Sequence, residues 1–201
     1  MGRRETLETF VLQPIYYIKS GKPLFYEVLY RGAIPNNVLF YKTNEALDMY
    51  LFNKAMNYID SLDKSNLYTV NISSSSLVKY TDRIQNFLKN KSNVYIELLE
   101  KDLDFYDFID SGLNRKVMLD DFGSAYSNFD RVIKFKPFAI KFDRVMLQFN
   151  IQLLSSLREE FEQRGIVCVF EKIENEEEYK KANEAGFVFM QGFYLNNMFK
   201  C

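Results

Sequence analysis

Eight short β-type runs alternate with longer helical patterns almost from one end of the chain to the other, and this alternation limits the possible fold more than any other feature. The runs are FVLQPIYYI (10–18), LFYEVLYR (24–31), YTVNIS (68–73), VYIELL (94–99), KVMLDDF (116–122), FAIKFD (138–143), VCVFEKI (167–173) and FVFMQGF (187–193). Helical stretches are expected at 44–62, 75–89, 101–113, 125–135, 147–164 and 175–185. In the first of these, Leu47, Leu51, Ala55 and Tyr58 share a face behind Asn44, whose side chain suits an N-cap. Gly165 and Gly186 fall where helix C-termini belong. The first connection, SGKP (20–23), is too short for a helix and reads as a hairpin turn. Alternating β and α units imply a mainly parallel sheet, either open and doubly wound or closed. Eight strands with an antiparallel opening pair favour closure. The expected fold is an α/β, TIM-like (β/α)8 barrel with an antiparallel first strand. It must be reduced in helices, because 201 residues fall short of the roughly 250 such barrels use.

Composition narrows the chemistry. Residues 1–201 contain no repeat, low-complexity segment or Pro/Gly-rich linker, so one domain is expected. A net charge of −1 advertises no nucleic-acid or membrane surface, and no apolar run reaches the roughly 20 residues of a membrane span. The N-terminus lacks the apolar core of a signal peptide, and its Gly2 and Thr6 match a myristoylation pattern that nothing else supports. Cys168, inside IVCVF, reads as a core residue, and with Cys201 it forms neither a zinc site nor a disulfide framework; a cytoplasmic protein is expected. The chain has no histidine. That excludes Ser-His-Asp and Cys-His nucleophilic systems and any His-ligated metal.

In a βα barrel, functional side chains gather at the carboxyl ends of the strands. Those ends carry Glu27, Asn71, Glu97, Asp120 with Asp121, Lys141 with Asp143, Glu171 with Glu174, and Gln191. A single glutamate in a strand usually faces solvent. An acid or amide at nearly every strand end is a set. Oxygen ligands without sulfur or imidazole favour hard cations, Mg2+ or Mn2+. Adjacent aspartates cannot share one strand face, yet where the backbone turns at a strand end one can bridge two metals while the other serves the second. These residues suggest metal-assisted phosphoester hydrolysis and leave the substrate open.

Specific stretches add a resemblance. Tyr26-Glu27-Val28-Leu29-Tyr30-Arg31 follows Gln13-Pro14-Ile15, and VNISSSSL (70–77), IELLE (96–100), LDDFGSAYSN (119–128), IKFDR (140–144), FEKIENEEEY (170–179) and MQGFYL (190–195) come after in order. From residue 10 to about 198 the chain resembles the EAL-domain family, phosphodiesterases that hydrolyse cyclic di-GMP. The resemblance implies one metal held by Glu27, Asn71, Glu97 and Asp120, and a second held by Asp120, Asp121 and Glu171. It implies that Lys141 orients the water attacking one phosphodiester, releasing linear pGpG. Glu100 would anchor the loop after Asp121, and Gln191 would support the site from the last strand. Gln13, Leu29, Arg31, Asp143, Glu174 and Phe193 would contact substrate phosphate and guanine, with the planar fork of Arg31 suited to phosphate.

The chain departs from the family pattern at Val28, at Ser124-Ala125, at Lys172 in place of a glycine, and in the short segment from Gly32 to Asn44. The altered loop and shortened front edge also fit an EAL domain that binds cyclic di-GMP with little turnover, or one retained as a protein-interaction module. A homodimer through the loop after Asp121 and the following helix, and a regulatory partner in trans, complete what the resemblance implies.

Overall fold

The computed structural model describes residues 9–32, 34, 44–99, 112–124 and 129–199. The helix expected at 101–113 lies almost wholly outside them, as do Glu100, residues 125–128 and most of the segment after Gly32. Eight strands close into a barrel in chain order. They are β1 (Thr9–Tyr17), β2 (Lys22–Arg31), β3 (Leu67–Ser73), β4 (Val94–Leu99), β5 (Val117–Phe122), β6 (Ala139–Phe142), β7 (Val167–Phe170) and β8 (Phe189–Met190). β1 runs antiparallel to both of its neighbours, β2 and β8. Every other neighbouring pair is parallel, as the alternation predicts.

The described helices are α1 (Glu45–Asp60), α2 (Ser74–Lys79), α3 (Thr81–Leu88), α4 (Phe129–Phe135), α5 (Ile151–Gln163), α6 (Glu176–Glu184) and α7 (Phe193–Phe199). None is long and apolar enough to cross a membrane. Asn44 caps α1 by accepting a hydrogen bond from the Leu47 amide at 2.9 Å. Gly165 and Gly186 adopt left-handed φ angles just past α5 and α6, where a side chain would be strained. The single helix expected over 75–89 is two short ones, broken at Tyr80 (φ −118°, ψ 25°).

The last apolar run, 187–193, needs correction. Only Phe189–Met190 is strand, and Phe193 opens α7. A short run of five apolar residues broken only by Gln191 and Gly192 reads alike in either conformation, and Gly192 decides the switch. A Cβ there would lie 2.1 Å from the Ile173 carbonyl oxygen and 2.4 Å from its nitrogen. Only a glycine lets the chain turn so close to the end of β7. Gly192→Ala is expected to cost about 1–3 kcal/mol, since backbone must move to admit the methyl group; equilibrium denaturation measures it.

Strand pleating divides the core into two. Outward residues such as Val70, Ile96, Leu119, Ile140 and Phe170 pack under the helices in one large cluster. Inward residues Ile15, Phe25, Met118, Ala139 and Val169 form a separate plug, flanked by Leu67, Tyr95, Phe138 and Phe189. Rings from β2, β4 and the residue just before β6 meet across the interior: Tyr95–Phe138 centroids are 4.4 Å apart and Phe25–Tyr95 centroids 5.6 Å. The plug closes one end of the barrel and leaves the next inward layer to polar residues.

Candidate metal centre at the barrel mouth

The same two-residue period builds the site. Two positions beyond each plug residue, toward the mouth, comes a polar one: Phe25 leads to Glu27, Tyr95 to Glu97, Met118 to Asp120, Ala139 to Lys141, Val169 to Glu171 and Phe189 to Gln191. On β3 the inward series is Leu67, Thr69, Asn71. On antiparallel β1, Gln13 lies opposite Glu27. Glu27, Asn71, Glu97, Asp120, Lys141, Glu171 and Gln191, all expected at strand ends, thus share one layer inside one mouth.

Lys141 is the hub. Its Nζ lies 2.9 Å from Glu97 Oε2, 3.1 Å from both Asp120 Oδ1 and Glu171 Oε2, and 3.4 Å from Glu27 Oε2. All but the partly buried Asp120 are buried. Amides hold the ring in place: Asn71 Nδ2 donates to Glu27 Oε1 at 2.9 Å and Gln191 Nε2 to Glu27 Oε2 at 2.8 Å. The Thr69 hydroxyl donates to Glu97 Oε1 at 2.5 Å. Sequence reading passed over Thr69, although its place between Leu67 and Asn71 on the inward face of β3 marks it.

Asp121 reaches the mouth by a different device. Between Leu119 and Phe122 β5 spends three residue steps against two on β6, a β-bulge. Asp121 takes the left-handed conformation there (φ 58°), which aspartate tolerates better than most residues. The bulge frees the second aspartate from strict alternation, so both can serve one site. Ligand oxygens of Asp120, Asp121 and Glu171 lie within 4.8 Å of one another.

A second lysine stands over this trio. Lys172 Nζ pairs with Asp121 Oδ1 and Asp143 Oδ2, and lies 3.2 Å from Glu171 Oε1. Asp143 also accepts from the Val145 amide at 2.7 Å, capping a turn of 3-10 helix.

The rim residues diverge more. Leu29 and Arg31 share the inward face of β2 with Glu27 by alternation, with Arg31 exposed and donating to the Tyr30 carbonyl. Glu174 is exposed, beyond β7, and ion-paired to Arg144. Phe193, carried on α7 rather than β8, is 71% exposed.

Charge crowding perturbs the ring. Burial first, then the Glu27 charge, pushes Glu97 up to about 8 against the pull of Lys141. Burial and the Asp120 charge raise Glu171 well above the usual carboxylate range. Burial alone would lower Lys141, but the four carboxylates outweigh it and hold the ammonium charged. Burial also opposes ionisation of Asp143, yet its bonds from Lys172 and Val145 keep it below its ordinary value.

The raised carboxyls have a consequence for stability. Native Glu97 keeps a proton up to about pH 8 that the unfolded chain releases near its ordinary value of 4.5. Between those values the native state binds more protons, so stability falls as pH rises. Glu171 acts in the same direction. In EDTA the melting temperature should therefore fall from about pH 5 to about pH 8; scanning calorimetry that finds it rising would contradict the ring's electrostatics.

The donor set fits a divalent cation. Asp120 Oδ1, Glu171 Oε1 and Gln191 Oε1 are buried acceptors that receive no hydrogen bond from a described residue. The first two face lysines at ion-pair distance without hydrogen-bond geometry. Buried oxygen acceptors in excess of donors, with carboxylates outnumbering lysines, are what a hard divalent cation takes.

The EAL domain family model matches residues 4–197. The chain belongs to the EAL-domain family. A search of curated proteins finds no match. Among solved structures, this EAL domain superposes on Klebsiella pneumoniae BlrP1, a manganese and cyclic di-GMP complex, with a TM-score of 0.78 at 21% identity; the match covers 96% of this chain and 56% of that one. Bacillus subtilis YkuI, in complex with cyclic di-GMP and calcium, gives 0.76 at 20% identity, covering 92% and 54%. An EAL domain protein from Listeria monocytogenes gives 0.78 at 18%, covering 93% and 86%. These likenesses establish the barrel. The chain spans just over half the length of the Klebsiella and Bacillus proteins.

Proposed function

We propose that this EAL domain hydrolyses one phosphodiester of cyclic di-GMP to linear pGpG with a divalent cation held by Glu27, Asn71, Glu97 and Asp120. One observation carries the reading: five oxygen-donor side chains, four from strands β2–β5 (Glu27, Asn71, Glu97, Asp120) and one just past β7 (Glu171), converge at the mouth with Lys141 among them. Solved relatives of the fold are complexes with cyclic di-GMP and manganese or calcium, which supports the ligand and the class of ion.

Mg2+ or Mn2+, bound among these carboxylates, would supply Lewis acidity, lowering the pKa of water and offsetting phosphate charge. The chain's own groups do the rest. Glu171 Oε1, buried and 3.2 Å from Lys172 Nζ without a hydrogen bond, takes the proton of the attacking water. Lys141 Nζ, held by its ring, stabilises negative charge gathering on the phosphoryl oxygens. The new O–P bond forms in line as the bond from phosphorus to the ribose 3′ oxygen breaks, and that oxygen takes a proton from solvent to leave as a hydroxyl. Arg31, exposed at the end of β2, is free to turn its fork onto phosphate, while Gln13 and Leu29 line the same wall. Phe193 offers an exposed ring for a guanine face.

A second reading, a receptor that binds cyclic di-GMP with slow turnover, is favoured by the hold of Lys172 on Asp121. Incubation with cyclic di-GMP and Mn2+ or Mg2+, followed by chromatography, decides between them. The enzyme reading expects pGpG that EDTA abolishes; tight binding without product supports the receptor, and no binding sinks both.

A further inference from the structure

Two carboxylate clusters share Glu171 at the mouth. The inner one surrounds Lys141 with Glu27, Glu97 and Asp120, and the outer one surrounds Lys172 with Asp121 and Asp143. The trio Asp120, Asp121 and Glu171 is spaced to share a cation, but Lys172 Nζ already pairs with two of the three. We propose that Lys172 is a built-in cation that takes the place of a second divalent ion, so that this EAL domain binds a single divalent metal, in the inner ring. The inference rests on the reading of that ring as a metal position.

The backbone supports it. Lys172 has φ 59°, a left-handed conformation that costs a side chain strain and that glycine would adopt freely. A lysine is tolerated there because its ammonium is anchored by three carboxylates. Asp121 is left-handed too (φ 58°), on the bulge of β5. Of the three left-handed non-glycine residues described, Lys136 stands apart just past α4, while Lys172 and Asp121 have side chains that meet.

The two lysines are not equivalent. Lys141 is buried, and the inner ring around it still leaves Asp120 Oδ1 and Gln191 Oε1 without hydrogen bonds. The inner ring can take a divalent ion and keep its lysine. At the outer cluster one ammonium serves Asp121 and Asp143 and borrows only the edge of Glu171. A second ion must expel that ammonium, breaking its ion pairs with Asp121 and Asp143, or sit against it and meet the repulsion of a like charge. An ammonium neutralises carboxylates but has no open coordination position, so it cannot acidify water. The outer position would balance charge and hold Asp143 in place, leaving chemistry to the inner one.

The test counts ions. The full chain is stripped with EDTA and titrated with Mn2+, the free ion being read by electron paramagnetic resonance. Wild type should bind one Mn2+, with any second at least tenfold weaker. Lys172→Asn removes the cation and keeps a residue that accepts the left-handed conformation; it should bind two Mn2+ with comparable affinity. Lys172→Met, which keeps the stem and loses the charge, should do the same. Two comparable ions in wild type, or a stoichiometry of one in both variants, overturns the proposal. Wild type that binds none overturns it together with the metal reading. Cyclic di-GMP hydrolysis by a wild type holding two ions overturns the lysine substitution alone.

Discussion

Lys141→Met is expected to lower the metal-free melting temperature by roughly 6–20 °C at about pH 8. Methionine matches the volume of the lysine stem, so packing changes little. What is lost is the one ammonium among Glu27, Glu97, Asp120 and Glu171, at 2.9–3.4 Å. Removing one partner of a buried ion pair costs about 3–5 kcal/mol, because the other charge stays behind in a poor solvent. In a chain of this size each kcal/mol moves the midpoint about 2–4 °C. At about pH 5 the loss should shrink, since Glu97 and Glu171 already hold protons there. Mn2+ should restore more stability to the variant than it adds to wild type, because the ion can neutralise the abandoned carboxylates. A midpoint within about 2 °C of wild type at pH 8 would mean that Lys141 is not their counter-charge.

Glu27→Ala is expected to reduce cyclic di-GMP hydrolysis on the order of 10³-fold, the scale of several kcal/mol of metal-derived transition-state stabilisation. Glu27 is the ring's most shared acceptor: both amides, Asn71 and Gln191, and Lys141 converge on it. Truncation removes a proposed metal ligand and leaves two amide groups without their acceptor. Fold and chemistry are separated by measuring Mn2+ binding and the melting temperature beside turnover. Loss of less than tenfold, with Mn2+ still bound, would show that the metal does not depend on this ring.

Much of the barrel was legible because its information is local. A strand alternates faces at every residue, so Phe25 and Glu27, or Ala139 and Lys141, announce a common side of the sheet before any partner strand is known. Helical spacing behind Asn44 and the glycines after α5 and α6 are equally local signals. The candidate site followed, since strand ends are where those alternations stop. Phe193 was misread because an apolar run beside a glycine carries no period long enough to separate strand from helix. Thr69 was passed over because a lone threonine in a strand is ordinary until Glu97 is seen opposite.

The chain by itself determined which residues could do chemistry and on which face each would stand. It holds no histidine, it ends its strands on acids and amides, and its eight alternating units close into a barrel with β1 reversed. Only the tertiary structure decided how those charges balance. The bulge that brings Asp121 beside Asp120 depends on the register of β5 against β6. The reach of Lys172 to Asp121 spans 51 positions and two left-handed residues, and the four-carboxylate grip on Lys141 joins strands from across the barrel. Pleating is a property of one strand. Electrostatic balance belongs to the closed barrel, because charge acts through space and the sequence gives order along the chain without distance across it.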